Sequence, residues 1–113
     1  MTLSDLATRL DLKVFTSATP LDRPVNGGYA SDLLSDVIGH ARKDDVWVTM
    51  QVHPNIVAVA VLKELAAIVL AGGRVPAPET LAQAEREKVP VLGTVLGTFE
   101  VAGRLYGLGV KGS

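Results

Sequence analysis

The segment Gln51-x-His53-x-Asn55 holds the side chains best suited to chemistry in this chain. A histidine titrates near neutral pH, so His53 could act as an acid or a base beside two amides that bind polar ligands. No companion nucleophile is evident in the sequence. The alternative is a capping loop, in which Asn55 caps the next helix and His53 bonds to a backbone group. The segment predicts a ligand contact and leaves catalysis as a second hypothesis.

Carboxylates at Asp22, Asp32 and Asp36 form a second group with a chemical use. Hard oxygen ligands suit Mg²⁺, so these side chains could hold that cation. The alternative is turn and cap chemistry for Asp22 and Asp32 and a solvated helix face for Asp36. We favour the alternative, and we predict no metal site and no cofactor, with a nucleotide left open as a ligand.

Two adjacent glycines, Gly27 and Gly28, follow a polar loop that contains Pro24. Glycine allows positive φ and close backbone approach, so the pair indicates an unusual backbone feature. A ligand, a partner backbone or a tight turn before a helix would each account for it.

Apolar periodicity and turn residues divide the chain into helices and strands. Helices are predicted over residues 4–10, 32–40, 55–65, 76–88 and 98–106. Thr2 or Ser4 is the expected cap of the first helix, and Ser31 or Asp32 that of the second. Strands are predicted over residues 12–16, 46–50, 66–70 and 89–95, and residues 29–30 could add a short extended piece.

Residues 66–70 (Ala-Ala-Ile-Val-Leu) fit either a helix or a strand. Continuing the preceding helix through them would give about 16 residues that are apolar almost all round. The β-branched centre and the following Gly72-Gly73 favour a buried strand, with a break near Leu65.

The alternation of strands and helices predicts an α/β fold. We expect one domain over residues 1–113, a three-layer α/β/α sandwich with a mainly parallel sheet of about four to five strands. Its core would span about residues 12–108, with a tail at 109–113.

In an open parallel sheet, the loops after the strands gather at one edge, and ligands favour that edge. We expect the loops at residues 17–28, 51–55, 72–76 and 94–98 to meet there. Helix N-termini pointing to the same side would suit an anion. The candidate ligand-binding residues are Asp22, Arg23, Asn26, Gly27, Gly28, Ser31, Asp32, Gln51, His53, Asn55 and Thr94.

Composition excludes several classes of protein. The formal net charge is −1, and no basic run is longer than Arg42-Lys43, so we predict no nucleic-acid partner. The chain has no cysteine, which excludes disulfides, thiolate catalysis and cysteine-ligated metals. Hydrophobic residues make up 48% and aromatics only 4%, which is typical of small aliphatic strands covered by helices.

The apolar segments bear on the cellular location of the protein and on its oligomeric state. The N-terminal residues resemble no signal peptide, and Lys63 and Glu64 interrupt the longest apolar stretch before the ~20 residues of a membrane span. We expect a cytoplasmic protein with no membrane contact. The helix from Ile56 to Leu62 is more apolar than a one-sided helix needs, so we expect a homodimer through it, with burial inside the domain as the alternative.

Several separated segments resemble the DRTGG domain family. They are residues 27–37 (Gly-Gly-Tyr-Ala-Ser-Asp-Leu-Leu-Ser-Asp-Val), residues 55–60 behind Gln51 and His53, residues 89–94, and Phe99-Glu100. The resemblance covers about residues 12–108. The name-giving pentapeptide is divided here, because residues 24–26 separate Asp22-Arg23 from Gly27-Gly28.

The resemblance implies a sandwich similar to the N-terminal domain of HPr kinase/phosphorylase. Such domains occur alone, beside CBS domains in regulatory regions and within some phosphotransacetylases, and relatives with CBS domains bind adenine nucleotides through the CBS portions. We therefore expect a non-catalytic regulatory or interaction module that forms a homodimer and binds a small anionic ligand or nucleotide. The alternatives are a small phosphoryl- or acyl-transfer enzyme that uses His53, and a scaffold for a redox or kinase partner.

Overall fold

The computed structural model describes residues 1–112, so Ser113 of the predicted tail lies outside the described residues. Within them, ten elements follow one another along the chain. The helices are α1 (Leu3–Arg9), α2 (Leu34–His40), α3 (Asn55–Lys63), α4 (Pro78–Glu87) and α5 (Thr98–Gly107), and the strands are β1 (Lys13–Val14), β2 (Gly27–Ala30), β3 (Asp45–Thr49), β4 (Ala67–Leu70) and β5 (Val91–Gly93).

The strands form one sheet in the order β1-β5-β4-β3-β2. Strands β2 to β5 pair in parallel, and β1 pairs antiparallel with β5, so that Lys13 lies opposite Gly93. The four parallel strands end along one side of the sheet, here called the carboxyl edge, and start along the other, the amino edge. This topology confirms the predicted α/β fold with a mainly parallel sheet.

Two cores cover the two faces of the sheet, because side chains alternate along each strand. In β3, Val46 and Val48 join the first core, whereas Trp47 joins the second. Helices α1 and α5 supply the helical side of the first core, and α2, α3 and α4 supply that of the second. Leu3 and Leu6 of α1 are fully buried, and each contributes roughly 1.5–3 kcal/mol of apolar burial.

The predicted break between helix and strand is confirmed. Helix α3 ends at Lys63, and Glu64 follows in the left-handed conformation with φ of 54°. Leu65 then donates its N–H to the carbonyl of Ala60, and the four residues of β4 are all buried. A strand buried on both faces explains why its sequence shows no alternation of polar and apolar residues.

Helix α1 has the predicted cap, whereas α2 does not. The Thr2 side chain accepts the N–H of Asp5, and the Asp5 side chain accepts the N–H of Thr2. For α2, the expectation of Ser31 or Asp32 as the cap was wrong, because the helix begins at Leu34 and Leu33 occupies the cap position without a side-chain bond.

The direction of β1 changes the position of the long loop that follows it. The expected place of this loop was the carboxyl edge. Because β1 runs against β5, the chain leaves β1 toward the amino edge and crosses the starts of the parallel strands before entering β2. The prediction that all four loops meet at one edge was therefore wrong for residues 17–26.

Glu85 of α4 holds the start of this loop. Its carboxylate accepts the N–H of Ser17 at 2.8 Å, the hydroxyl of Ser17 at 2.9 Å and the N–H of Ala18 at 3.0 Å. The backbone N–H donors, followed by the hydroxyl, lower the pKa of Glu85. The charged carboxylate thus fixes the path of the loop away from the carboxyl edge.

Candidate functional site

Part of the predicted site assembles where β2 and β3 end. Asp32 Oδ1 accepts the hydroxyl of Thr49 at 2.8 Å and the N–H of Met50 at 2.7 Å. Gln51 Nε2 donates to the carbonyl of Asp32 at 3.1 Å. Thr49 is fully buried, so the carboxylate of Asp32 satisfies a hydroxyl that has no access to water. These contacts join the ends of β2 and β3 and give Asp32 a structural role.

Ser31 serves the same junction. Its hydroxyl accepts the N–H of Leu33 at 3.1 Å, and its carbonyl accepts the indole N–H of Trp47 at 2.8 Å. The Trp47 ring is fully buried and its only polar atom needs a partner, which the end of β2 supplies.

His53 and Asn55 lie at the carboxyl edge, at the start of α3. Both residues are exposed, and neither side chain makes a hydrogen bond or ion pair with any described residue. The carbonyl of His53 accepts the N–H of Ile56, and Pro54 occupies the cap position, so the alternative in which Asn55 caps the helix was wrong. Within residues 1–112, no group of three or more His, Asp or Glu side chains could hold a metal ion.

The remaining polar candidates lie at the amino edge. Arg23 Nη1 donates to the carbonyl of Ala66, just before β4, and its Nη2 contacts the carbonyl of Lys88 at 3.4 Å. Asn26 donates its N–H to the carbonyl of Asp44, just before β3. Asp22 is exposed in the same loop. The structure thus separates Asp22, Arg23 and Asn26 from the polar residues at the carboxyl edge.

The glycine pair lies at the start of β2, where the absence of two side chains leaves space for other parts of the same chain. Neither glycine has positive φ, which excludes the turn as its explanation. A Cβ at Gly27 would lie 2.7 Å from Asp45 Oδ1 and 3.1 Å from the carbonyl oxygen of Lys111. A Cβ at Gly28 would lie 3.2 Å from Val110, and the N–H of Gly28 donates to that same Lys111 carbonyl. Close backbone approach is therefore the reason for the pair, with the C-terminal tail as the neighbour.

A hydrogen-bonded group of titratable side chains joins α2 to β2. The Tyr29 hydroxyl donates to Asp36 Oδ2 at 2.9 Å, and His40 Nδ1 lies 3.1 Å from Asp36 Oδ1. The bond from Tyr29 is the main reason that the pKa of Asp36 is lowered, and the same bond raises the pKa of Tyr29. The group lies on the surface, where two-thirds of the His40 side chain is exposed. It anchors the helix to the outermost strand.

A cavity of about 450 Å³, here called the edge pocket, opens at the carboxyl edge beside β1 and β5. Its lining comes from four separate parts of the chain: Leu10, Asp11, Lys13 and Phe15, residues 73–75, residues 93–96, and Arg104. Thr94 is the one predicted site residue in this lining.

The charge of the edge pocket is mainly positive. Lys13, Arg74 and Arg104 line it, against Asp11 as the single acid. Lys13 Nζ lies 5.1 Å from the centre of the Phe15 ring, and Arg104 Nε lies 3.9 Å from an exposed Glu100 carboxylate. The Arg74 side chain has no hydrogen-bond or ion-pair partner among the described residues. Three cations with weak partners favour an anion.

Two backbone donors beside the pocket are bonded within the protein. Gly72 and Gly73 both have positive φ and form the turn after β4. Their N–H groups donate to the carbonyls of Leu96 and Thr94, at 2.7 and 2.8 Å. The Thr94 hydroxyl accepts the N–H of Leu96. Since the N–H groups of Gly72 and Gly73 are bonded within the protein, neither is free to bind an anion in the pocket.

Sequence reasoning named none of Lys13, Arg74 and Arg104 as candidate ligand-binding residues, although it expected the loop at residues 72–76, which contains Arg74, at this edge. The three residues are spread over most of the chain and form no motif. The signal that could have pointed to Arg74 is its place directly after the Gly72-Gly73 turn, at the end of a buried strand.

Comparison with known proteins supports the same fold. A family model for the DRTGG domain matches residues 5–108. Among solved structures, the chain is similar to the CBS and DRTGG domains of the regulatory region of Clostridium perfringens pyrophosphatase, complexed with its activator, diadenosine tetraphosphate. The TM-score is 0.68 at 13% identity, and the match covers 90% of this chain but 44% of that one. The chain thus spans less than half the length of this neighbour. A search of curated proteins finds no match.

Proposed function

Because this chain belongs to the DRTGG domain family, we propose that it is a non-catalytic regulatory module that binds a small anionic ligand in the edge pocket. The observation that carries the proposal is the meeting of three cationic side chains around one cavity at the carboxyl edge. The likeness to a regulatory region that was crystallised with a nucleotide activator supports the regulatory part.

The size and charge of the pocket suit a ligand larger than a single phosphate. Its volume of about 450 Å³ lies within the roughly 300–1,000 Å³ of small-molecule sites. Arginine presents a planar fork that matches carboxylate and phosphate groups, and two of the three cations are arginines. Carboxyl edges of open α/β sheets are also where ligands bind in this class of fold.

The contacts of His53 give the enzyme hypothesis no support. A general base needs a group that orients it and a nucleophile within reach. The exposed His53 side chain has no hydrogen-bond or ion-pair partner among the described residues. We therefore keep binding as the proposed activity, and a scaffold without a ligand becomes one outcome of the test.

A thermal-shift panel tests ligand binding. It would contain ATP, diadenosine tetraphosphate, acetyl phosphate, NAD, tripolyphosphate and pyrophosphate, each at low and at moderate salt. A ligand present at 100 times its Kd stabilises the folded state by about 2.7 kcal/mol, so a binder raises the melting temperature clearly. Salt should reduce the shift, because the partners are exposed charges.

Two variants connect any shift to the pocket. The double variant Arg74→Ala, Arg104→Ala should abolish it. Arg86→Ala is the matched control, since Arg86, like Arg104, is an exposed side chain in the last turn of a helix but lies outside the pocket. No shift with any anion would refute ligand binding and favour the scaffold.

We also propose that the module forms a homodimer through the outer face of α3. Ile56, Val57 and Ala60 are buried inside the domain, which accounts for much of the apolar character of this helix. Val61 and Leu62 are nevertheless 44% and 65% exposed. Adjacent exposed aliphatic side chains favour a self-complementary contact.

Sedimentation velocity at micromolar concentration tests the dimer. The wild type should sediment as a dimer, and Leu62→Glu should sediment as a monomer. Leu33→Glu is the matched control, because Leu33 is also 65% exposed but precedes α2 at the carboxyl edge. A wild type that is monomeric throughout would refute this part of the proposal and leave ligand binding untouched.

Two finer expectations from the sequence belong to the proposal as well. They are a cytoplasmic location and a likeness to the N-terminal domain of HPr kinase/phosphorylase. Within the described residues, no helix has the length and apolar character needed to cross a bilayer.

A further inference from the structure

We infer that the edge pocket recognises an anion that carries a flat apolar ring, the chemistry of a nucleoside phosphate, in preference to an inorganic anion. This inference rests on the proposed function, since it assumes that the pocket holds an anion. The inference specifies which part of the ligand determines specificity and which residues contact that part.

The first support is the apolar part of the lining. The apolar residues of the lining are Leu10, Phe15, Val75, Val95 and Leu96. Val75 is 64% exposed and Val95 is 87% exposed, so both present apolar surface to water at the pocket. An inorganic anion would leave this surface wet, whereas a flat apolar group would cover it and gain free energy in proportion to the area removed from water.

The second support is the Phe15 ring. The ring lies against Gly93, where a Cβ would come within 2.5 Å of it, so the missing side chain at Gly93 lets the ring lie close to the strand. The ammonium of Lys13 lies over the ring at 5.1 Å from its centre. A ligand ring could stack on Phe15 in place of that ammonium and release Lys13 to a phosphate group.

The third support is the distribution of charge across the sheet edge. Phe15 packs against the second core, and Lys13 lies on the same face of the sheet. Arg104 belongs to α5, which packs on the opposite face, and Arg74 lies in the loop at the end of β4. A ligand that crosses the edge would place its ring at Phe15 and its phosphates toward Arg74 and Arg104.

Asp11 adds a second element of selectivity. It lines the same pocket and is held in the left-handed conformation, with φ of 51°, directly after α1. A carboxylate accepts hydrogen bonds from hydroxyl or amino groups and repels a ligand that is anionic throughout. A sugar phosphate offers hydroxyl donors next to its anionic end, whereas an inorganic polyphosphate offers none.

Titration calorimetry of the full chain with three probes tests the inference. The probes are ATP, inorganic tripolyphosphate and adenosine, at one pH and one ionic strength. ATP should bind at least about tenfold more tightly than tripolyphosphate, because a stacked base contributes a factor of about five or more and apolar contacts add to it. Adenosine should bind more weakly than ATP, since it lacks the anion.

Variants then separate the two ends of the ligand. Phe15→Leu should lower ATP affinity at least about fivefold and leave tripolyphosphate unchanged. Val95→Ser should act in the same direction without touching the core, because Val95 is almost fully exposed. Arg104→Gln should weaken ATP and tripolyphosphate alike, and Arg86→Ala should weaken neither.

The outcomes distinguish this inference from the function on which it rests. Equal affinity for ATP and tripolyphosphate, or an equal loss of both on Phe15→Leu and Val95→Ser, overturns the inference while anion binding stands. Binding of neither probe refutes both. A preference for ATP that Phe15→Leu and Val95→Ser abolish supports the inference.

Discussion

Replacing Gly27 with alanine should destabilise the protein, although alanine usually stabilises a chain relative to glycine. Gly27 is buried at the start of β2, and its φ is not positive, so the backbone itself accepts an alanine. The obstacle is space. The new Cβ would lie 2.7 Å from Asp45 Oδ1, and 3.1 Å from the backbone oxygen of Lys111.

The contacts of Asp45 set the size of the effect. Asp45 is 3% exposed, and its Oδ2 accepts the N–H of Arg42 at 2.8 Å, so the carboxylate cannot swing away freely. Overpacking at such a site costs about 1–3 kcal/mol, and the entropic gain from glycine to alanine offsets about 0.4–1 kcal/mol. We expect a net loss of about 1–2 kcal/mol, which corresponds to a melting temperature lower by about 3–10 °C.

The measurement is urea or thermal unfolding followed by the fluorescence of Trp47, the single tryptophan, which is fully buried. Gly103→Ala is the matched control, since this glycine lies inside α5 and a Cβ there would meet nothing within 4 Å. That variant should gain up to about 1 kcal/mol. If Gly27→Ala unfolds at or above the wild-type midpoint while Gly103→Ala behaves as expected, the argument from close approach is wrong.

Three further predictions follow from the contacts described above. Asp32→Ala should cost about 1–3 kcal/mol in a urea titration, because it leaves the buried hydroxyl of Thr49 without its acceptor; an unchanged midpoint would contradict the structural task of this carboxylate. The pKa of Glu85 is lowered below its usual 4.5 in the folded state, so the charged carboxylate stabilises the fold above that pH, and this stabilisation is lost as the pH falls through the folded pKa. Glu85→Gln should therefore flatten the decline of melting temperature below pH 4.5. An equal decline in the wild type and the variant would contradict this role of Glu85. Gly93→Ala should push the Phe15 ring into the edge pocket and lower ligand affinity by more than it lowers stability, which calorimetry and melting together would show.

The sequence predicted those parts of the fold that depend on local pattern. The strand at residues 66–70 was recognised from its β-branched centre and the glycines behind it, and β4 confirms this. Helix α1 is capped by Thr2, one of its two expected caps, and the side chains of Thr2 and Asp5 satisfy two backbone donors.

The direction of β1 could not be predicted in the same way. Only Lys13 and Val14 pair with β5, and two residues contain no pattern that separates parallel from antiparallel pairing. Because the loop that follows is long, the chain can reach β2 from either edge. The position of Asp22, Arg23 and Asn26 therefore depended on tertiary contacts that no local signal reports.

The sequence predicted the edge of the sheet at which the candidate site lies, but it did not predict most of the residues that line the site. Topology indicated the carboxyl edge, where the edge pocket lies, and Thr94 belongs to its lining. That Thr94 contacts a ligand stays a prediction. The cations come from β1, a turn and α5, and their meeting depends on how helices cross the sheet. Asp32 looked available for a ligand because the sequence does not show that Thr49 would be buried beneath it.

Both ends of the described chain are tied to the segment that leads into β2. The carbonyl of Met1 accepts the N–H of Val25, and the carbonyl of Lys111 accepts the N–H of Gly28, three residues further on. Three extended residues span about 10 Å, so Met1 and Lys111 lie close together. A short linker could join them, and new ends opened in an exposed loop would give a circular permutant of unchanged fold. For the same reason, the domain could be inserted into a host protein at a single surface loop. The edge pocket would then lie at the carboxyl edge, opposite the point of insertion.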